Sequence, residues 1–95
     1  MIQGVITKQI VEHHDERGYF SELVKMGEPT YRGVAQTSFS QTHPGVIKAF
    51  HWHKETTEMW CPLFGNAQIV LYDLRLRSET KGKTQVIHAG GRKRM

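Results

Sequence analysis

Cysteine occurs once in the chain, at Cys61, so no disulfide can close within these 95 residues. A lone thiol suits a reducing compartment, and as a small apolar side chain Cys61 needs no functional explanation. Long apolar runs are missing as well. The longest, Ile69 to Leu71 and Met59 to Phe64, fall far short of the ~20 residues that cross a bilayer as a helix. No leader of charged, apolar and small residues opens the sequence, and these absences together predict a soluble, cytoplasmic protein without a membrane partner. Also absent are internal repeats, low-complexity stretches and any sustained helical period, so helices are expected to be short or missing. What is present fits one domain, large enough to bury a core without a disulfide or a structural metal.

The formal net charge is +4, but its distribution argues against nucleic acid as a partner. Residues 1–73 hold six Lys and Arg against eight Asp and Glu, whereas residues 74–95 hold seven against one. The surplus is thus a property of the last stretch, from Arg75 and Arg77 to Arg92-Lys93-Arg94. No aromatic residues alternate with these basic ones, and the run reads as a solvated face or tail.

Short segments of alternating apolar and polar residues follow one another at even spacing, which predicts an all-β fold of the sandwich or barrel kind. The expected strands are Val5–Val11, Tyr19–Met26, Gly33–Thr42, Val46–His53, Glu58–Phe64, Ala67–Arg75 and Thr84–Ala89. Turn residues punctuate them at Asp15-Glu16-Arg17-Gly18, Gly27-Glu28-Pro29, Pro44-Gly45, Gly65-Asn66 and Ser78-Glu79-Thr80-Lys81-Gly82. Gly65-Asn66 in particular predicts a tight hairpin. In a strand over Val46–His53, alternation puts Ile47, Ala49, His51 and His53 on one face and Val46, Lys48, Phe50 and Trp52 on the other.

Around those two histidines the sequence reads Gly45, five residues, His51, one residue, His53, four residues, Glu58, six residues, Gly65. This spacing resembles the first signature motif of the cupins, which implies an antiparallel β-barrel of the jelly-roll type. In metal-binding cupins, the resemblance implies, His51, His53 and Glu58 are ligands of a divalent transition metal. Two histidines two apart on a strand, joined by a carboxylate from the next strand, are a chemically sensible set for such an ion. The other reading of the pair is two hydrogen-bonded interior histidines.

A second resemblance covers nearly the whole chain. Asp15-Glu16-Arg17-Gly18-Tyr19-Phe20-Ser21-Glu22, Gln36-Thr37-Ser38-Phe39-Ser40, Gly45-Val46-Ile47-Lys48-Ala49-Phe50-His51 and Asp73-Leu74-Arg75 with Ser78-Glu79-Thr80-Lys81-Gly82 are similar to the nucleotide-sugar 3,5-epimerases. Those enzymes are metal-free cupins acting on dTDP-4-keto-6-deoxyglucose. The resemblance implies that Arg17, Phe20 and Glu22 surround the nucleotide, that Gln36 contacts substrate, that Lys48 stands at a phosphate-binding position and that His51 is the base. A ketone at C4 acidifies the hydrogens at C3 and C5, and a base that titrates near neutrality can remove one.

Three residues depart from that family: Glu58 replaces a lysine, Ser38 an asparagine and His53 a glutamine. His51-Trp52-His53-Lys54 in turn resembles the sugar-nucleotide 3,4-ketoisomerases, in which a His-x-His pair shuttles protons without a metal. Catalytic roles are therefore expected for His51 and His53, with no cofactor, and with the metal set as the alternative. A sugar-binding module without activity is the reading that is no enzyme. The families resembled continue into a further half-barrel carrying a second motif, so the expectation is an incomplete cupin domain that lacks residues needed for full activity. Ile87-His88-Ala89-Gly90 does not supply that motif, since Lys93 would fall on its histidine. An open barrel has an unpaired edge, which together with the resemblance predicts a homodimer. His13 and His14 are expected at the surface, His43 in a loop, and Trp52, Trp60 and Tyr72 in the core or an interface.

Overall fold

Asn66 to Tyr72 and Thr84 to Gly90 carry the densest β-favouring alternation in the chain, and they form its longest regular elements. The computed structural model describes residues 1–91 and 94–95. Arg92 and Lys93 of the basic tail, including the Lys93 position weighed against a second motif, lie outside the described residues. The elements are β1 (His13–Asp15), β2 (Gly18–Phe20), β3 (Asn66–Tyr72) and β4 (Thr84–Gly90), arranged as two antiparallel two-stranded sheets, β1-β2 and β3-β4. Among the described residues there is no helix, so none is long and apolar enough to cross a membrane. The architecture is all-β, consistent with part of a barrel.

In the β3-β4 ladder Ala67 faces Ala89, Ile69 faces Ile87 and Leu71 faces Gln85, and this face is the more covered one. The opposite face, with Val70 across from Val86 and Tyr72 across from Thr84, is exposed. The N-terminal segment straps the hairpin. Ile2 N–H donates to Gln85 Oε1 at 2.9 Å and Gln3 N–H to Thr80 Oγ1 at 2.9 Å, while Ile10 N–H reaches the Arg94 carbonyl at 2.9 Å. Ile2, Ile10 and Ala89 are the buried apolar residues that result.

The loop between β3 and β4 is organised by one carboxylate. Asp73 is buried, its side chain only 1% exposed, and it is surrounded by donors. Oδ1 accepts the Arg75 backbone N–H at 3.0 Å and Arg75 Nε at 2.9 Å; Oδ2 accepts Arg75 Nη2 at 2.8 Å, Ser78 Oγ at 2.6 Å and Thr80 Oγ1 at 2.7 Å. A buried charge is tolerable when it is paired and fully hydrogen-bonded, and charge-assisted bonds of this kind are the strong ones. Arg75 Nη2 also donates to the Gln3 carbonyl at 2.6 Å, which ties the strap to the same loop. The Asp73-Leu74-Arg75 and Ser78-Glu79-Thr80 segments thus owe their order to a common acceptor.

Several expected strands are corrected by the structure. Tyr19–Met26 is regular only at its start, as part of β2, and β1 occupies residues that lie outside the expected strands. Val5–Val11, Gly33–Thr42, Val46–His53 and Glu58–Phe64 are irregular. Alternation alone does not make a strand, because the ladder requires a partner, and these segments find none among the described residues. The Asp15–Gly18 turn does close a hairpin, with Glu16 and Arg17 at its tip. No tight hairpin forms at Gly65-Asn66. Instead Asn66 opens β3, opposite Gly90, and the Gly91 N–H donates to the Gly65 carbonyl at 3.1 Å. Gly90 has φ of 114°, and a Cβ there would fall on the Gly65 carbonyl oxygen, so the crossing requires glycine for both conformation and space.

The donors around Asp73, Arg75 first and then Ser78, hold its carboxyl far below the usual carboxylate range. Its contribution to stability is complete above the ordinary unfolded-state value, about pH 4, and falls away as the pH drops from there toward the folded-state value. Asp73→Asn is expected to lower the thermal midpoint by several degrees at pH 7 and to flatten the pH dependence of stability below pH 4. Thermal melts of both proteins across pH 2 to 7 check this.

Candidate functional site

The segment from Val46 to Trp60 runs without regular structure, turned at Pro44-Gly45 and bent at Lys54-Glu55. That bend returns the chain so that Glu58 meets His53. His53 Nε2 lies 2.7 Å from Glu58 Oε1, with the two side chains 47% and 40% exposed. The other carboxylate oxygen, Oε2, accepts Trp60 Nε1–H at 2.8 Å. His51 is exposed on the same segment. Among the described residues no group of three His, Cys, Asp or Glu side chains has a geometry to hold a metal ion. Of the alternative set, the structure brings His53 and Glu58 together.

The remaining expected site residues fall in two places. Arg17 and Phe20 belong to the β1-β2 hairpin, where Arg17 donates to Asp15 through its backbone N–H at 2.8 Å and through Nη2 at 2.7 Å. These bonds hold the Asp15 carboxyl below its ordinary value. Phe20 is exposed at the end of β2, and Glu22 follows, 3.9 Å from Lys25 Nζ. Gln36 and Lys48 serve their own loops: Gln36 Nε2 donates to Ser38 Oγ at 3.1 Å and Lys48 Nζ to the Gln41 carbonyl at 2.8 Å.

A network that sequence reading passed over joins the hairpin to the C-terminal end. Glu12 takes His14 Nε2 at 2.9 Å on one oxygen and Arg94 Nη1 at 3.1 Å on the other. Arg94 Nη1 also donates to the Tyr19 hydroxyl at 2.6 Å. Tyr19, Ser21, Leu23, Leu63, Phe64 and Arg94 line a cleft of about 230 Å³. His51, His53 and Glu58 are not among its walls. Ser21 Oγ and Arg94 Nε are buried there without a hydrogen-bond partner among the described residues. The signal available in the sequence was the acidic turn beside His13 and His14, which gave only a surface reading; nothing in it pointed to Arg94. Burial pushes the Cys61 thiol up, partly offset by Arg94, which leaves it a poor nucleophile.

Residues 13–92 match the family model described as the polysaccharide biosynthesis C-terminal domain. The chain is 48% identical over 90 residues to the spore coat polysaccharide biosynthesis protein SpsL of Bacillus subtilis, an alignment that covers 95% of this chain and 60% of that protein. It is 29% identical over 92 residues to the probable low-salt glycan biosynthesis epimerase Agl13 of Haloferax volcanii, covering 94% of this chain and 58% of that one. The chain therefore spans 60% or slightly less of the length of these curated relatives. No solved structure matches.

Gln36 and Lys48 make only exposed, local contacts. Gln36→Ala and Lys48→Ala are each expected to change unfolding free energy by no more than about 0.5 kcal/mol, measured by urea denaturation, so that a loss of ligand binding in either variant reports a lost ligand contact.

Proposed function

Because the chain belongs to the family described as the polysaccharide biosynthesis C-terminal domain, we propose that it is an epimerase-type domain of sugar biosynthesis whose substrate is a 4-keto-6-deoxy nucleotide sugar. The observation that carries this reading is the pair His51 and His53 within the Gly45 to Gly65 pattern, in a chain with a relative named as a glycan biosynthesis epimerase. In the proposed reaction a histidine removes the hydrogen at C3 or C5, and the C–H electron pair moves onto the C4 oxygen as an enolate. A proton returned to the opposite face inverts the centre, with no net change in composition. A donor or cation aimed at the enolate oxygen lowers the barrier. Arg17, Phe20 and Glu22 would hold the nucleotide, Lys48 a phosphate and Gln36 the sugar. The reaction as proposed is cytoplasmic and uses no metal ion.

This site is open. Phe50 is 70% exposed, Trp52 71% and Trp60 59%, so the histidines stand amid bare apolar surface. Both edges of the β3-β4 ladder lack a partner strand among the described residues. A second copy of the chain, completing a cupin-type barrel surface, would cover the aromatic rings and exclude water from the histidines.

Deuterium is expected to enter C3 or C5 when a dTDP-4-keto-6-deoxy sugar is incubated with the protein in deuterated water containing chelator, read by mass spectrometry. His51→Asn is expected to slow incorporation by about two to four orders of magnitude, the usual loss on removing a positioned base. Incorporation that stops with chelator and returns with a divalent metal would replace this reading with the metal-dependent one. Self-association is expected by sedimentation at tens of micromolar, and a monomer alone over that range would argue against the covered site.

A further inference from the structure

We propose that the loop between β3 and β4 is a docking surface for an anionic lipid membrane, with Leu74 and Leu76 entering the headgroup layer and Arg77, Lys81 and Lys83 meeting its phosphates.

The loop reads Leu74-Arg75-Leu76-Arg77-Ser78-Glu79-Thr80-Lys81-Gly82-Lys83. Four cations stand against one acid, Glu79, and Arg75 is matched by Asp73 at 2.8 Å. Arg77, Lys81 and Lys83 are exposed and make no ion pair among the described residues. Two large apolar side chains stand among these cations, Leu74 at 61% exposure and Leu76 at 81%. Arg75 lies between the leucines in sequence, but its guanidinium turns back onto Asp73 and the Gln3 carbonyl. The leucines are left in water on either side of it.

Unpaired cations with apolar side chains among them match a membrane of anionic lipid, which offers phosphates at its surface and acyl chains just beneath. A nucleic acid offers the phosphates alone, and residues 74–83 hold no aromatic ring to stack on a base. The exposed rings of Phe50 and Trp52 lack the charge for such a contact, since Glu55 and Glu58 offset Lys48 and Lys54 in that segment. The expectation of no membrane partner rested on the lack of a spanning run and of a leader, and a peripheral contact needs neither.

A loop that is already ordered loses little freedom on docking. This one is fastened at its base, where Asp73 N–H donates to the Lys83 carbonyl at 3.0 Å and Gly82 N–H to the Asp73 carbonyl at 2.8 Å. Turns follow one another within it: Ser78 N–H reaches the Arg75 carbonyl at 3.3 Å, Lys81 N–H the Ser78 carbonyl at 3.3 Å, and Lys83 N–H the Thr80 carbonyl at 2.9 Å. The Asp73 carboxylate holds the Ser78 and Thr80 hydroxyls inward, which leaves the cations and leucines as the outer surface.

In vesicle sedimentation the unaltered protein is expected to bind mixed phosphatidylglycerol and phosphatidylcholine, and to stay in solution with phosphatidylcholine alone. Arg77→Gln with Lys81→Gln is expected to weaken binding roughly 30-fold, two cations at about fivefold each. Leu74→Ser with Leu76→Ser is expected to weaken it about tenfold. All these positions are exposed, so both double variants are expected to melt with the unaltered protein. A spin label on the lipid headgroup gives a reading that needs no substitution: the amide signals of residues 74–83 are expected to broaden before those of the β1-β2 hairpin. Where a variant melts lower, the spin-label pattern decides alone. Equal binding to both kinds of vesicle, or binding to neither, overturns the proposal. So does a loss confined to the charge variant, which marks attraction to any polyanion, a loss confined to the leucine variant, or broadening centred on Phe50 and Trp52.

Discussion

The Asp73 carboxylate is the constraint on which the ordered part of this chain depends. Folding must remove it from water, and it is buried only because one guanidinium, two hydroxyls and a backbone N–H converge on it. Those donors come from Arg75, Ser78 and Thr80, so satisfying the charge also fixes the path from β3 to β4. The long ladder then follows from its own alternation. Because Arg75 and Thr80 each bond to Gln3, the N-terminal strap is set by the same loop. Hairpin, loop and strap are one cooperative unit built outward from a charge.

The histidine segment obeys a different logic. Its contacts are local: His53 with Glu58, Trp60 with Glu58, Lys48 with Gln41. None of its large apolar side chains is buried. Local polar contacts aim side chains but contribute little to stability, whereas burial stabilises and is spent here on Ile2, Ile10 and Ala89 instead. The exposed histidine segment and the stable hairpin are thus divided along the chain, with Tyr19 and Arg94 tying the β1-β2 hairpin to the C-terminal end.

Period-two patterning made the all-β class and the β3 and β4 boundaries legible to within a residue or so at most ends, while turn residues marked the Asp15–Gly18 turn without giving the two short strands that flank it. The same patterning overstated Gly33–Thr42 and Val46–His53, since periodicity reports which face a strand would bury and carries no information about whether a partner is present. Residue types and spacing pointed to His51, His53 and Glu58 as a group, of which the structure brings His53 and Glu58 together. What could not be read was the pairing within it, because Trp60 looked like packing and a carboxylate near two histidines reads equally well as ligand or as hydrogen-bond partner. Glu12, Tyr19 and Arg94 were beyond reach for a simpler reason: they meet across about the whole length of the chain, and no local pattern encodes such a contact.

Gly65 closes the histidine pattern and is also the residue whose carbonyl lies against Gly90. Chain length on the two sides of Glu58 is therefore not interchangeable. From Glu58 to Gly65 the chain is anchored at its far end by a backbone crossing with no room for a side chain at Gly90. Between His53 and Glu58 only a surface bend intervenes. For protein engineering, the bend at Lys54-Glu55 is the adjustable joint of this site, where the histidine can be re-aimed while the hairpin keeps its register.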